Sequence, residues 1–475
     1  MESVAEAVAA GGDGLAAQLA AHLLRPLRNN VVERPWGGVR LREFKGLCPL
    51  PDQARLTGLG LGEAFEISAC DEDDEARAYP SRIRFEDGTE LALPRLLERH
   101  CAALLGTEFA ARYGCGFPLL PKTLDVKELL SVQGHPEGYT EVYIIIDADP
   151  GATIRLGFNR DLEPRGFAAR LGRGRELQQR LLEMLGPQVD EHQLQAELQD
   201  WFADRLPGAG VAPAALFERC RNAAARRELE ALLGELKALY WYVLDAMNEL
   251  PVTPGDVIYN ANPPRIAEAA GRLPSAEVHA LGNPERREIL ALEIRRPGPT
   301  LRAWDHVRFP LRRLDVEAAV SALNLRRTEP EEFRVEPAAV PGRPGVLRSV
   351  GAPQFEIEHL RPRTGKPVTV PAEPPHCLHV LGSPVSLRTA AGAELGILER
   401  GESAIVPIGV GAYELAAAGE GAEVVKVGLP ELRQSASRRE RGFRSAARVD
   451  RRIRSARRAH PDGGASGASS SARRR

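Results

Sequence analysis

The chain has 475 residues, 43% hydrophobic, 27% charged and 5% aromatic, with 45 Gly and 37 Pro. That length exceeds one ordinary domain, and no run of 18 apolar residues offers a transmembrane helix. The N-terminal stretch MESVAEAVAAGGDG lacks the basic start and apolar core of a secretory signal, so two or three domains in the cytoplasm are expected, with no membrane partner. The six cysteines include no C-x-x-C pair, which argues against a zinc finger or a disulfide scaffold. The net charge of -2 is unevenly spread: residues 431–475 hold 14 Arg against four acids, a net of +10, which leaves -12 for the rest.

Residues 1–27 read as a short amphipathic helix ending near Pro26, within an N-terminal extension at 1–29. Residues 36–90 mix short apolar runs with turn residues, and 91–106 has helical spacing. The segments FPLLPKTLD, ELLSVQGH, TEVYIIIDA and ATIRLGF are short, rich in β-formers and punctuated by Pro, Gly and Asp. They predict an antiparallel sandwich or barrel whose first part spans 30–172. Residues 173–250 turn helical, and Tyr240, Trp241 and Tyr242 fit the packed face of a long amphipathic helix. Strands resume after Pro251 in VTPGDVIYNA and EILALEIRR, giving the sandwich a second part at 251–326 with a compact helix over 314–325. The Pro/Glu-rich residues 327–371 read as a linker with a few edge strands, and 372–430 hold enough short strands for one small double-stranded β-helix. Residues 431–475 read as a disordered basic tail. Its single aromatic, Phe443, offers little stacking to nucleic-acid bases, and the acidic body shows no recognition helix, so only the tail is a candidate for nucleic acid.

Chemistry concentrates in residues 131–141, SVQGHPEGYTE. Gln133 and His135 are two apart, so on a strand both point to one face. Pro136-Glu137-Gly138 predicts a three-residue hairpin loop with Gly in the left-handed position. That loop sets His135 across from Tyr139 and Gln133 across from Glu141, so Gln133, His135 and Glu141 share a face. An amide oxygen, an imidazole and a carboxylate make a partial site for a divalent ion, and His279 is the best remaining histidine to complete it.

The similarity then extends beyond one motif. FPLLPKTLDVKELLSVQGHP…TEVYIIIDADPGATIRLGF resembles class I mannose-6-phosphate isomerases, which read F-P-L-L-x-K-x-L-D-A…L-S-V-Q-x-H-P…K-T-E. Upstream, Arg34-Pro35-Trp36-Gly37-Gly38 and Gly62-Glu63-Ala64-Phe65-Glu66-Ile67-Ser68 look like the family's P-W-G-G and G-E-x-W-E-I-S. Downstream, PGDVIY, VHALG, LEI and Thr300-Leu301-Arg302-Ala303-Trp304-Asp305 look like further motifs, in the same order over residues 34–310. The resemblance implies a mainly β fold of cupin (double-stranded β-helix, jelly-roll) domains with an α-helical insertion. It also implies one zinc per chain on Gln133, His135, Glu141 and His279. Glu293 and Arg302 would act at the reacting carbons of a small-molecule sugar phosphate. Lys122, Ser131 and Arg308 would anchor the phosphate, with Trp36 and Tyr139 also at the substrate.

The implied reaction interconverts mannose 6-phosphate and fructose 6-phosphate through an enediol(ate), in a monomer. The residue types suit it: proton transfer between neighbouring carbons needs a base, a stabiliser for the developing oxyanion and a cationic clamp. Read from the residues alone, Glu293 and Arg302 equally suit a strand-face ion pair. Three features depart from the family: the loop after Q-x-H-P is collapsed to Glu137-Gly138, Tyr139 replaces a lysine, and Arg295-Arg296 replace two glutamines. They keep open a non-catalytic or differently specific metal-binding cupin that binds a sugar or sugar phosphate.

Overall fold

The computed structural model describes residues 13–47, 60–85, 87–204, 214–271, 273–430 and 432. The predicted basic tail apart from Leu432, residues 1–12 of the predicted N-terminal helix, and Cys48 lie outside the described residues.

Helix α1 (Asp13–Ala20) leads into β1 (Val31–Arg34), α2 (Arg40–Phe44), β2 (Gly60–Phe65) and α3 (Asp74–Ala78). A small hairpin of β3 (Arg82–Arg84) and β4 (Glu90–Ala92) precedes α4 (Leu93–Leu105) and α5 (Thr107–Tyr113). Then come β5 (Lys122–Val126), β6 (Val132–Gly134), β7 (Glu141–Ala148) and β8 (Thr153–Phe158). Four helices follow: α6 (Pro164–Leu185), α7 (Glu191–Ala203), α8 (Ala214–Glu218) and α9 (Ala223–Ala246). The chain returns to sheet in β9 (Met247–Pro251) and β10 (Val257–Asn260), passes through α10 (Pro264–Ala270), and adds β11 (His279–Ala280), β12 (Ile289–Arg295) and β13 (Leu301–Trp304).

These strands form two facing antiparallel sheets, one in the order β1-β2-β5-β12-β7-β10 and the other β13-β6-β11-β8-β9. The period of two decides what lies between them. Leu124 and Val126 of β5, Ile289 and Ala291 of β12, Tyr143 and Ile145 of β7 and Ile258 of β10 share one buried cluster with Ile154 and Leu156 of β8. Continuing each inward face by two residues reaches Lys122, Glu293, Glu141 and Asn260, and two more along β12 reach Arg295. The interior is therefore apolar at one end and charged at the other. The outer face of the second sheet is covered by helix: Val132, Phe158, Ala280 and Trp304 pack with Phe167, Leu171, Leu236 and Val243 of α6 and α9. Gly174 permits this approach, because a Cβ there would lie 2.4 Å from the Trp304 ring.

Helix α11 (Val316–Ala322) ends this half, and the remaining strands are β14 (Ala338–Ala339), β15 (Val346–Gly351), β16 (Glu356–Leu360), β17 (Val368–Val370), β18 (His376–Val380), β19 (Val385–Thr389), β20 (Glu394–Leu398), β21 (Ser403–Val406), β22 (Tyr413–Ala417) and β23 (Val424–Gly428). They form a second pair of antiparallel sheets, ordered β14-β15-β16-β23-β18-β21 and β17-β22-β19-β20. Residues 327–371 thus differ from the linker with edge strands that their composition suggests, because β16 lies between β15 and β23. The Pro/Glu content misleads since Glu358 is buried against Lys426, at 2.8 Å, where its charge is matched.

A buried polar seam joins the two sheet pairs. Lys45 donates to both carboxylate oxygens of Glu66 (2.9 and 2.7 Å) and to the carbonyl of Gly401 (2.6 Å). Thr123 and Ser403 also donate to Glu66, at 2.6 and 2.7 Å. Each partner offsets part of the cost of burying the Glu66 charge.

Candidate metal centre and active site

Strand register builds the site. Across the first sheet Glu293 stands opposite both Lys122 and Tyr143, and one row further Arg295 and Asn260 flank Glu141. Across the second sheet Gln133 stands opposite both His279 and Arg302. The two rows face each other over a cavity of about 260 Å³ lined, among others, by Trp36, Lys122, Ser131, Gln133, Glu141, Glu293, Arg295 and Arg302.

His135, Glu141 and His279 converge behind this lining, to which Glu141 and Gln133 contribute and the two histidines do not. His135 Nε2 lies 2.6 Å from Glu141 Oε1, and His279 Nε2 lies 3.4 Å from Glu141 Oε2. Gln133 reaches the same place, its amide Nε2 3.1 Å from His279 Nε2. Both imidazoles are tied behind. His135 Nδ1 donates to the carbonyl of Pro299 (3.1 Å) and His279 Nδ1 to that of Glu277 (2.9 Å), so each turns an Nε2 lone pair towards Glu141. Burial holds the His279 imidazole below its ordinary value, which favours the neutral form that ligates. His135 Nε2, although close to the carboxylate, is a buried atom without a hydrogen-bond partner. Two imidazole lone pairs and a carboxylate aimed at one point, with His135 Nε2 left without a donor, suit a divalent cation. Turning the Gln133 amide over would bring its oxygen to the same point and let its NH₂ donate to Ser131 Oγ, which now donates to Gln133 Oε1 at 2.9 Å. Among the described residues this is the group of His, Cys, Asp and Glu side chains arranged to hold a metal ion.

Glu141 is completely enclosed. Burial opposes its charge, but its carboxyl is held well below the usual range, by the imidazoles wherever they are protonated and by Arg295. Tyr143 donates to Glu141 Oε2, and burial followed by the Glu141 charge keeps its phenol protonated. Glu293 behaves oppositely. Burial, then the Glu141 charge, push it up to about 7, against the pull of Lys122 and Arg295. A carboxyl poised near neutrality inside a cavity can both take and return a proton.

The expected hairpin over residues 133–141 does not form. The turn itself forms, with Tyr139 N–H on the Pro136 carbonyl (3.2 Å) and Gly138 at φ 87°. It does not join a hairpin, however: β6 pairs with β11 and β13, whereas β7 pairs with β10 and β12. The turn carries the chain from one sheet to the other, and the ligands meet across the interior. Tyr139 is consequently absent from the cavity lining, and its ring packs against Gly298, where a Cβ would lie 2.2 Å from Tyr139 Cε1.

The strand-face ion pair of Glu293 with Arg302 does not form either. Arg302 faces Glu75 at 3.5 Å, and Glu293 faces Arg295 at 3.8 Å. Lys122 donates to Glu75 (2.6 Å), and Arg308 is held by Asp305 (3.0 Å) and the carbonyl of Leu129 (2.6 Å). Sequence reasoning missed Arg295, Tyr143, Asn260 and Glu75. The first two stand two residues beyond Glu293 and Glu141, a signal that strand periodicity carries. Glu75 sits in the acidic run Asp71–Glu75, within the residues 36–90 whose mix of apolar runs and turn residues singles out no site.

No family model matches the chain. It is 32% identical over 137 residues to the “Putative mannose-6-phosphate isomerase YvyI” of Bacillus subtilis (strain 168), a match that covers 26% of this chain and only 38% of that protein. In fold it is similar to the mannose 6-phosphate isomerase of Bacillus subtilis, with a TM-score of 0.55 at 18% identity over 86% of this chain and 99% of that one. A variant of phosphomannose isomerase from Salmonella typhimurium gives 0.53 at 15% identity over 86% and 99%. A mannose 6-phosphate isomerase bound with zinc and yttrium gives 0.53 at 16%, with the same coverage. The fold is thus mainly β and of the cupin kind, as expected, with the helices inserted between its strands.

Proposed function

We propose that this protein is a zinc-dependent aldose–ketose isomerase that interconverts mannose 6-phosphate and fructose 6-phosphate through an enediol(ate). The observation that carries the reading is that Glu141, which meets His135 and His279, lines one cavity together with a carboxyl poised near neutrality and a set of cations. The local likeness to YvyI and the fold likeness to phosphomannose isomerases support it. His135, Glu141 and His279 would hold one zinc, with Gln133 as the fourth ligand. When bound, the ion polarises the carbonyl and hydroxyl oxygens of a sugar.

Glu293 removes the proton from C2 of the aldose and returns it to C1. Arg302 stabilises O1 and O2 as the hydroxyl proton passes between them. Tyr143 and Asn260 fix the Glu141 carboxylate, and the Pro299 and Glu277 carbonyls fix the imidazoles. Lys122, Ser131 and Arg308 form the side of the cavity that takes the phosphate, and Trp36 forms a wall. The test is conversion of mannose 6-phosphate by purified protein, with metal content measured on the same sample and solvent deuterium followed into the product. Metal without turnover would favour the alternative, a metal-binding cupin that binds a sugar or sugar phosphate without isomerising it.

A further inference from the structure

The cations of the cavity are not free to meet a ligand. Glu75, on the short helix α3, reaches in from the rim with its side chain 30% exposed. Its Oε2 accepts from Lys122 at 2.6 Å and lies 3.8 Å from Arg295, while its Oε1 lies 3.5 Å from Arg302. One carboxylate therefore bridges the lysine that would anchor a phosphate and the arginine that would serve the reacting oxygens. The helix beneath it is fixed. Asp73 caps it through the N–H groups of Glu75 and Ala76 (2.9 and 3.1 Å) and is itself held by Arg295 (3.0 Å) and the N–H of Gly298 (3.1 Å). Ala76 is 1% exposed, and its carbonyl accepts from Ser68. Displacement thus means rotation of the Glu75 side chain towards water, with the backbone staying in place.

From this geometry we infer that Glu75 is a specificity-determining residue: it occupies the anion seat on Lys122 and yields it to a ligand phosphate, which frees Arg302 from Glu75 as it binds. The inference rests on the isomerase reading for the role of Arg302, but not for the seat itself. A dianionic phosphate brings more charge and more acceptor oxygens to Lys122 than a carboxylate does, so it can replace Glu75. A sugar without a phosphate brings neither and leaves Arg302 held. The selection is made by a group that competes with the ligand, in addition to those that attract it.

The test is calorimetric titration of inorganic phosphate, at fixed ionic strength, into the metal-loaded wild type and its Glu75→Gln and Glu75→Ala variants. Metal content and thermal melting are checked on each. Glu75→Gln keeps the shape and removes the competing charge, so phosphate should bind about tenfold more tightly. With sugar substrates, KM for mannose 6-phosphate should fall more than kcat changes, and the preference for mannose 6-phosphate over mannose should narrow. Phosphate binding that is unchanged or weaker in both variants overturns the inference, as does its absence from all three proteins. Should Glu75→Gln fold poorly, Glu75→Ala carries the same comparison. Tighter phosphate binding with no isomerisation by any of the proteins would keep the role of Glu75 and remove the isomerase reading. Isomerisation by the wild type, with phosphate affinity indifferent to residue 75, would do the reverse.

Discussion

Replacing Glu293 by Gln tests the central electrostatic claim without a substrate. The carboxyl of Glu293 is 6% exposed and is pushed from an ordinary 4.5 up to about 7, by burial first and by Glu141 second. The folded state therefore keeps a proton that the unfolded chain releases above pH 4.5. Stability falls as pH rises through that window and levels off above the folded-state value. The gap from 4.5 to about 7 corresponds to ~3 kcal/mol at ~1.4 kcal/mol per pH unit. Glutamine has no such proton. The stability difference, variant minus wild type, should rise by ~3 kcal/mol between pH 4.5 and 7.5 and stay flat on either side. Urea denaturation at half-unit pH steps measures it. Metal-free protein is the material to use, because a cation at Glu141 would cancel part of the second cause. Asp125, pushed up to about 8, and Glu277, pushed up to about 7, titrate in both proteins and cancel in the difference. Parallel stability curves across the whole range would refute the reasoning and leave Glu293 an ordinary, ionised carboxylate at neutral pH.

His279→Ala should strip the metal found by elemental analysis and remove the loss of melting temperature that a chelator causes in the wild type, since a ligand bound only by the native state stabilises it. Tyr139→Lys should lower stability by ~1–2 kcal/mol, because the ring packs on Gly298, and should leave metal content and KM unchanged. A clear gain in turnover would show instead that residue 139 reaches the substrate. Lys45→Met leaves Glu66 without its cation inside the seam and should cost ~3–5 kcal/mol in equilibrium unfolding. A cost below ~1 kcal/mol would mean that Thr123 and Ser403 suffice to hold that charge.

The legible parts of this chain were those with a local signal. Runs of β-formers bounded by turn residues marked β5, β7, β8 and β12, and the 3.6-residue period marked α9. The meeting of Gln133, His135, Glu141 and His279 was anticipated, but its cause was not. A two-residue spacing and a plausible turn suggested one hairpin, whereas β6 and β7 belong to different sheets. Which sheet a strand joins depends on partners more than 100 residues away, and no local signal encodes them. The same holds for Tyr139, whose place is decided by Gly298, and for Glu75, which nothing local singles out until Lys122 and Arg302 are set beside it. Composition failed at Glu358 for a related reason: a charged residue reads as surface until its buried partner Lys426 is known.

Because the candidate ligands are split between two sheets, and His279 follows Glu141 only after the whole α6–α9 block, no short piece of the chain contains the site. A peptide spanning residues 120–160 would hold Gln133, His135 and Glu141 and still offer no fixed geometry to an ion. Capture of an ion on the proposed ligands would thus require the two sheets to have closed on each other. An ion held by His135, Glu141 and His279 would act as a rivet between the two sheets. Its uptake rate would report complete assembly of this half of the molecule, and its release would mark the first parting of the two sheets.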